Sequence, residues 1–245
     1  MPIANVRAAL SAGPKLHPFT AAQLSDSPLS LFKMDETSGT VMADSGSVGN
    51  NGSYATSDPP TLGTRSVFGL VAPDFLGQNA EFSDSAALAA YHSGPSGVCT
   101  IEFLLRCDTI THADYMLTTD VDLQQFNIAV IGPNGQTFAH VYTTGVSHIM
   151  NVTSQSLKVL VDTDYHFVLT YDRAAPRFEL WLNGVSVAVD TTANTGNTGQ
   201  TTRKYEVGAR SSGSTGGIDG AMCSLAIYPT VLTSTQIADH YAALG

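Results

Sequence analysis

The sequence predicts an all-β fold: a two-sheet antiparallel sandwich with a short C-terminal helix and an N-terminal arm. Three observations predict it. Apolar and polar residues alternate over several short runs, Gly, Asn and Asp punctuate those runs, and an Asn-Gly pair sits between two of them. At 245 residues the chain is long enough for one large β domain with a well-buried core, and a second domain is not required.

Residues 1–28, MPIANVRAALSAGPKLHPFTAAQLSDSP, contain Pro2, Pro14, Pro18 and Pro28 and two Ala-rich stretches. That composition predicts an arm too small to bury a core of its own. Thr20 and Gln23 stand at capping-box spacing and mark one brief helical turn. The sandwich is expected over 29–245. In its first clear strand Cys99, Ile101, Phe103, Leu105 and Cys107 share one face, with Thr100, Glu102 and Arg106 opposite. Tyr165, Phe167, Leu169 and Tyr171 repeat the pattern, as do Phe178, Leu180 and Leu182. Asn183-Gly184 follows, two residues that tolerate the positive φ of a type I′ hairpin turn. Further strands are predicted at 126–131, 137–142, 157–161 and 205–209. Phe103, Leu169 and Leu180, mid-strand on apolar faces, are predicted core residues. The last element is a helix: Thr233 and Gln236 form a capping box, and Ile237, Tyr241 and Leu244 an apolar stripe.

Composition narrows the function. Hydrophobic residues make up 43% and charged residues 13%, which describes a globular chain surfaced by Ser, Thr, Asn and Gly. A net charge of −10 opposes binding to nucleic acid, whose phosphates recruit basic patches. No apolar run approaches the ~20 residues of a membrane span, and the first thirty residues show no leader pattern. The expectation is synthesis in the cytoplasm, release on lysis and no membrane insertion. Cys99 and Cys107 flank one predicted strand, so their α-carbons would lie ~26 Å apart, far beyond the ~7 Å limit for a disulfide. Three reduced, buried thiols are expected, and no Cys-x-x-Cys or Cys/His cluster suggests zinc.

Three colinear stretches carry a resemblance. SPLSLFKMDETSGTVMADSGSVGNNGSY (27–54) has an Asp-Glu-x-Ser-Gly turn and an Asp-Ser-Gly…Asn-Gly loop. TDYHFVLTYDRAAPRFELWLNGVSV (163–187) reads strand–turn–strand–Asn-Gly–strand. GGIDGAMCSLAIYPTVLTSTQIADHYAAL (216–244) reads as a closing strand and helix. Together they resemble the laminin-G-like, concanavalin A-like lectin/glucanase superfamily, which implies a jelly-roll sandwich. Gly220 departs from the family pattern, which usually has Glu after the Asp. Members of this family bind glycans, bind calcium, hydrolyse glucans or are purely structural, so the resemblance does not settle function.

No catalytic residues are assigned. Glycoside hydrolysis needs two carboxylates ~5–9.5 Å apart. No Glu-x-Asp-x-x-Glu run places them on one strand face, and Glu102 and Glu179 sit singly. No Gly-x-Ser-x-Gly elbow appears, and His166 reads as a structural hydrogen-bonding residue. Calcium is a candidate ligand, because Asp44, Gly46, Asn50 and Asn51 offer oxygens and tight curvature within eight residues, with Asp35 or Asp219 approaching from neighbouring strands. The same residues equally suit turns closed by Asx hydrogen bonds. Trp181 lies opposite the Phe178/Leu180/Leu182 face, where it stacks on a sugar ring or packs beneath a second layer; the family often has an aromatic residue here. Tyr115 and Tyr142, near loops, are further glycan-contact candidates. Asn51-Gly-Ser53 and Asn151-Val-Thr153 match glycosylation sequons by chance.

An arm joined to such a jelly roll resembles bacteriophage virion proteins. The expected function is a non-catalytic virion-surface structural or decoration protein with weak glycan adhesion. It would be held to a capsid or tail protein by its arm and act as a homo-oligomer. The alternative is the carbohydrate-binding, lectin-like module of an extracellular bacterial protein; a glucan hydrolase ranks third.

Overall fold

A computed structural model describes residues 16–83, 97–110, 113–119, 126–131, 135–142, 148–153, 158–192, 204–209 and 216–245. In chain order its elements are α1 (Pro18–Ser25), β1 (Ser30–Phe32), β2 (Val41–Met42), β3 (Gly52–Tyr54), β4 (Thr61–Val67), β5 (Leu70–Leu76), β6 (Ala80–Ser83), β7 (Val98–Thr109) and β8 (Ala113–Thr119). They continue with β9 (Phe126–Ile131), β10 (Gln136–Tyr142), β11 (His148–Thr153), β12 (Asp164–Asp172), β13 (Arg177–Leu182), β14 (Val185–Asp190), β15 (Lys204–Val207), β16 (Asp219–Tyr228) and α2 (Ser234–Ala242).

The strands form two antiparallel sheets. Sheet A runs β14-β13-β12-β7-β16-β5-β4, with β1 also pairing β16; sheet B runs β11-β10-β9-β8-β15-β6-β3-β2. The alternation seen in sequence turns one side of each sheet inward. Phe103, Leu169 and Leu180 are buried there as predicted, together with Phe32, Tyr54, Phe82, Tyr205 and Val207. Phe103 stacks on Phe167 at 5.1 Å, and Phe82 on Tyr205 at 4.7 Å. Such pairs add directional contact to the burial that drives the two sheets together. The three cysteines are buried thiols not joined in a disulfide, and burial pushes the Cys99 thiol up to about 12. The β13–β14 hairpin turns on Asn183 (φ 51°) and Gly184 (φ 74°), the two positive angles a type I′ turn requires. At α2, Thr233 Oγ1 accepts from Gln236 N at 3.2 Å while Gln236 Oε1 accepts from Thr233 N at 2.9 Å, completing the predicted capping box.

Two expectations need correction. Within the strand expected over 157–161, the described residues 158–161 run irregularly, with Val159 N donating to Gly135 O at 2.7 Å. Leu160 and Val161 are exposed there: an apolar run becomes a strand only when a ladder partner is available. The second correction concerns the arm. Residues 1–15 lie outside the described residues, but 18–25 are a helix started by Pro18 in its first turn and capped by the His17 side chain. Thr20 and Gln23, read as its cap, are buried inside it, and Phe19 is fully buried. Residue 28 is therefore not where packing begins.

Helices α1 and α2 lie over the outer face of sheet A, where Leu31, Val168, Ala226 and Tyr228 form a second apolar cluster with Leu232 and Ile237. Gly220 sits at a register shift between β16 and β7, with φ +149°. A Cβ there would come within 2.1 Å of the Arg106 carbonyl oxygen. The departure from the family's Glu is thus a backbone requirement, since no side chain fits.

Candidate binding face

Sheet A places Glu102 at the centre of its helix-covered face. The side chain is fully buried and all its acceptor positions are filled. Oε1 accepts from His166 Nε2 at 2.6 Å and from His240 Nδ1 at 2.9 Å. Oε2 accepts from Tyr228 Oη at 2.6 Å and from Gln23 Nε2 at 3.2 Å. Burial opposes ionisation of Glu102, but hydrogen bonds and charge from the two histidines outweigh it, so the carboxyl lies well below the usual range. Buried this way, Glu102 and His166 cannot meet a substrate. Glu179, on the same face, is engaged by Arg177 Nε at 2.7 Å and Ser186 Oγ at 2.5 Å.

The Asp44 loop is closed on its own backbone. Asp44 Oδ1 accepts from Leu31 N and Gly46 N, both at 2.8 Å, and Oδ2 from Asn50 N at 2.9 Å. Asn51 Oδ1 accepts from Asp44 N at 2.9 Å. A carboxylate facing three N–H dipoles already has its charge compensated, and a cation would meet the positive ends of those amides. The other candidate ligands do not converge on it: Asp35 pairs with Lys33 at 3.1 Å and Asp219 accepts from Thr109 Oγ1 at 2.8 Å. Among the described residues no three His, Cys, Asp or Glu side chains gather as a metal site. The geometry favours the turn role. Excess chelator is expected to leave the thermal midpoint unchanged, while Asp44→Ala, which strands three amides, costs ~1–3 kcal/mol. A midpoint that fell with chelator and recovered with calcium would reinstate the metal.

Trp181 stands on the outer face of sheet A, packed against the Leu31/Val168/Tyr228/Ile237 cluster, so it covers a second layer and is not an open platform. Tyr115 and Tyr142 lie in β8 and at the end of β10, and their side chains fall outside the described residues.

Sheet B presents a different outer face. Tyr54, Ala80, Phe82, Tyr205 and Val207 point into the core, so Ser53, Glu81, Lys204 and Glu206 project outward. Register places Ser53 opposite Glu81, Glu81 opposite Glu206, and Glu206 opposite Thr118. These four polar positions form a row across β3, β6, β15 and β8. Glu206 is buried and accepts from Thr118 Oγ1 at 3.4 Å. Glu81 is paired with Lys204, the two side chains 33% and 38% exposed. Asn51, Ser53, Glu81, Ser83 and Lys204 line a polar pocket of about 120 Å³. Sequence reading missed this site because its members come from three separate strands, and the Ser53–Glu81–Glu206 register was the missing signal.

A family model described as the concanavalin A-like lectin/glucanases superfamily, of laminin-G type, matches residues 79–238. The chain belongs to this superfamily. No curated protein sequence matches the chain. Among solved structures, the binding domain of Paraclostridial Mosquitocidal Protein 1 superposes on this concanavalin A-like chain with a TM-score of 0.65 at 12% identity, covering 89% of this chain and 52% of that one. A botulinum neurotoxin type C structure, described as concerning cell entry through two ganglioside molecules, gives 0.64 at 11%, covering 92% and 53%. Trypanosoma rangeli sialidase gives 0.60 at 14%, covering 88% and 32%. The concanavalin A-like chain thus spans a third to a half of the length of these proteins, and the likeness is one of fold.

Proposed function

We propose that this concanavalin A-like chain is a non-catalytic display module that meets glycans through the outer face of sheet B. The observation that carries the reading is the contrast between the faces. Two helices close sheet A over a buried carboxylate, whereas sheet B carries a polar row ending in the Glu81–Lys204 pocket. Sugar hydroxyls need adjacent donors and acceptors on a rigid sheet, and an ammonium–carboxylate pair flanked by Asn and Ser supplies them. Glycan or ganglioside ligands named for structural neighbours support the same reading.

The display surface we propose is a bacteriophage particle, with attachment to a capsid or tail protein through residues preceding α1. The supporting features are the Pro/Ala-rich opening and its resemblance to virion proteins. Glycan-array binding followed by calorimetry tests the site. Glu81→Ala and Lys204→Ala are each expected to weaken binding about tenfold, near 1.4 kcal/mol, with stability changed by no more than ~0.5 kcal/mol. Unchanged binding in both variants would remove this face from the reading. Electron microscopy of native particles tests the context, because a decoration protein recurs in many copies on a shell.

Hydrolysis is a second reading: Glu81 stands opposite Glu206 in register, but Glu206 is only 1% exposed, so the pair offers a substrate one accessible carboxylate where a glycosidase needs two. Release of reducing sugar that is lost in Glu81→Gln would favour hydrolysis; binding without turnover favours the module.

A further inference from the structure

We propose that His240 is an imidazolium bolt that fastens the end of α1 to sheet A, and that losing one of its protons unfastens that end. The argument is one of hydrogen-bond polarity. His240 Nδ1 meets Glu102 Oε1 at 2.9 Å and Nε2 meets Asp26 Oδ2 at 3.0 Å. Both partners are carboxylate oxygens, which only accept when ionised, so both ring nitrogens must donate, and only the protonated imidazole has two N–H groups. The ring is buried and Asp26 is only partly exposed, so solvent does little to screen the bridge.

The bolt joins three parts of the chain that lie far apart in sequence. Asp26 is the C-cap of α1, Glu102 lies in β7, and His240 lies in α2. Glu102 is shared with His166 of β12, Tyr228 of β16 and Gln23 of α1. Phe19 presents its ring edge-on to His240 at 6.2 Å, and the Tyr228 ring lies 6.3 Å away. The two groups that hydrogen-bond the imidazole directly, Glu102 and Asp26, are both anions, and His166 meets the same Glu102 Oε1 from the other side. Burial opposes the charge on His240, but Glu102 and then Asp26 outweigh it and raise its pKa above the free value.

The order of release follows from burial. A neutral His240 keeps one N–H. Leaving the buried Glu102 without its donor costs more than leaving Asp26, which reaches water, so the proton departs from Nε2. Asp26 then faces a ring lone pair and swings to solvent, loosening the 23–28 connection while Phe19 stays seated. The sign is that of a raised histidine. The fastening is complete below the unperturbed value of ~6.5 and is lost as pH rises through the higher native value.

Nitrogen NMR of the ¹⁵N-histidine-labelled full chain reads the ring directly. At pH 7 His240 is expected to show two protonated ring nitrogens. It should convert to a neutral pattern at a midpoint above that of an unperturbed histidine, with amide protection at Asp26, Ser27 and Leu29 falling at the same midpoint. Asp26→Asn is expected to move that midpoint down, and His240→Gln to abolish the pH dependence of protection. A neutral His240 at pH 7, or an Asp26→Asn midpoint equal to the wild-type value, would overturn the proposal. The wild-type spectrum decides the first point even if a variant fails to fold.

Discussion

Replacing Glu102 with alanine is expected to destabilise the protein by about 3–5 kcal/mol, the range for breaking a buried ion pair by removing one partner. Four donors, from Gln23, His166, Tyr228 and His240, would then point into a dry cavity. The cost comes chiefly from stranding those groups, because each was desolvated on folding and cannot recover its water. Chemical denaturation of Glu102→Ala and Glu102→Gln measures it. Glutamine preserves volume but brings an amide N–H against the existing donors, so it should recover only part of the loss. The carboxyl is held below its ordinary value, so its contribution is complete above pH ~4.3 and erodes only as pH falls towards that lowered value. A loss under ~1 kcal/mol for Glu102→Ala would mean that the four hydrogen bonds are not formed in solution.

Deleting residues 1–26 is the second large effect, and it contradicts the idea of a detachable arm. The deletion removes Phe19, fully buried and edge-on to His166 at 5.6 Å, together with Gln23 and Asp26. Truncating a buried phenylalanine to alanine alone costs ~3–5 kcal/mol. Losing the whole helix also opens Glu102 and the outer cluster of sheet A. A domain of this size has only ~5–15 kcal/mol to lose, so the truncated chain is expected to melt far lower or fail to fold, and Phe19→Ala to reproduce much of the drop. An unchanged melting temperature after deletion would restore the boundary at residue 28.

Residues near in sequence or repeating on one face were legible. Period-2 alternation located β7, β12 and β13, Asn183-Gly184 located the β13–β14 hairpin, and the Thr233/Gln236 spacing located α2, because each is decided by atoms a few residues apart. The Asp44 loop was legible as a turn or a metal loop and no further. Its oxygens are equally available to either until the Leu31, Gly46 and Asn50 amides are seen pointing at them.

Helix α1 was read as arm because its one large buried apolar side chain, Phe19, gives no stripe. Its tie to the fold is polar, through Gln23 to Glu102 and Ser224 and through Asp26 to His240 at a separation of 214 residues. The pairing of Glu81 with Glu206 likewise exists only once β6 and β15 are neighbours. The sequence by itself determined the strand faces, the hairpin, the terminal helix and the buried thiols, all consequences of local periodicity and turn chemistry. The tertiary structure alone decided which residues meet: the two helices that close over Glu102 on sheet A, and the Glu81 side chain set beside Lys204 on sheet B. The physical reason is that these contacts join residues distant in the chain, and side-chain polarity states what a group needs without naming the partner that supplies it.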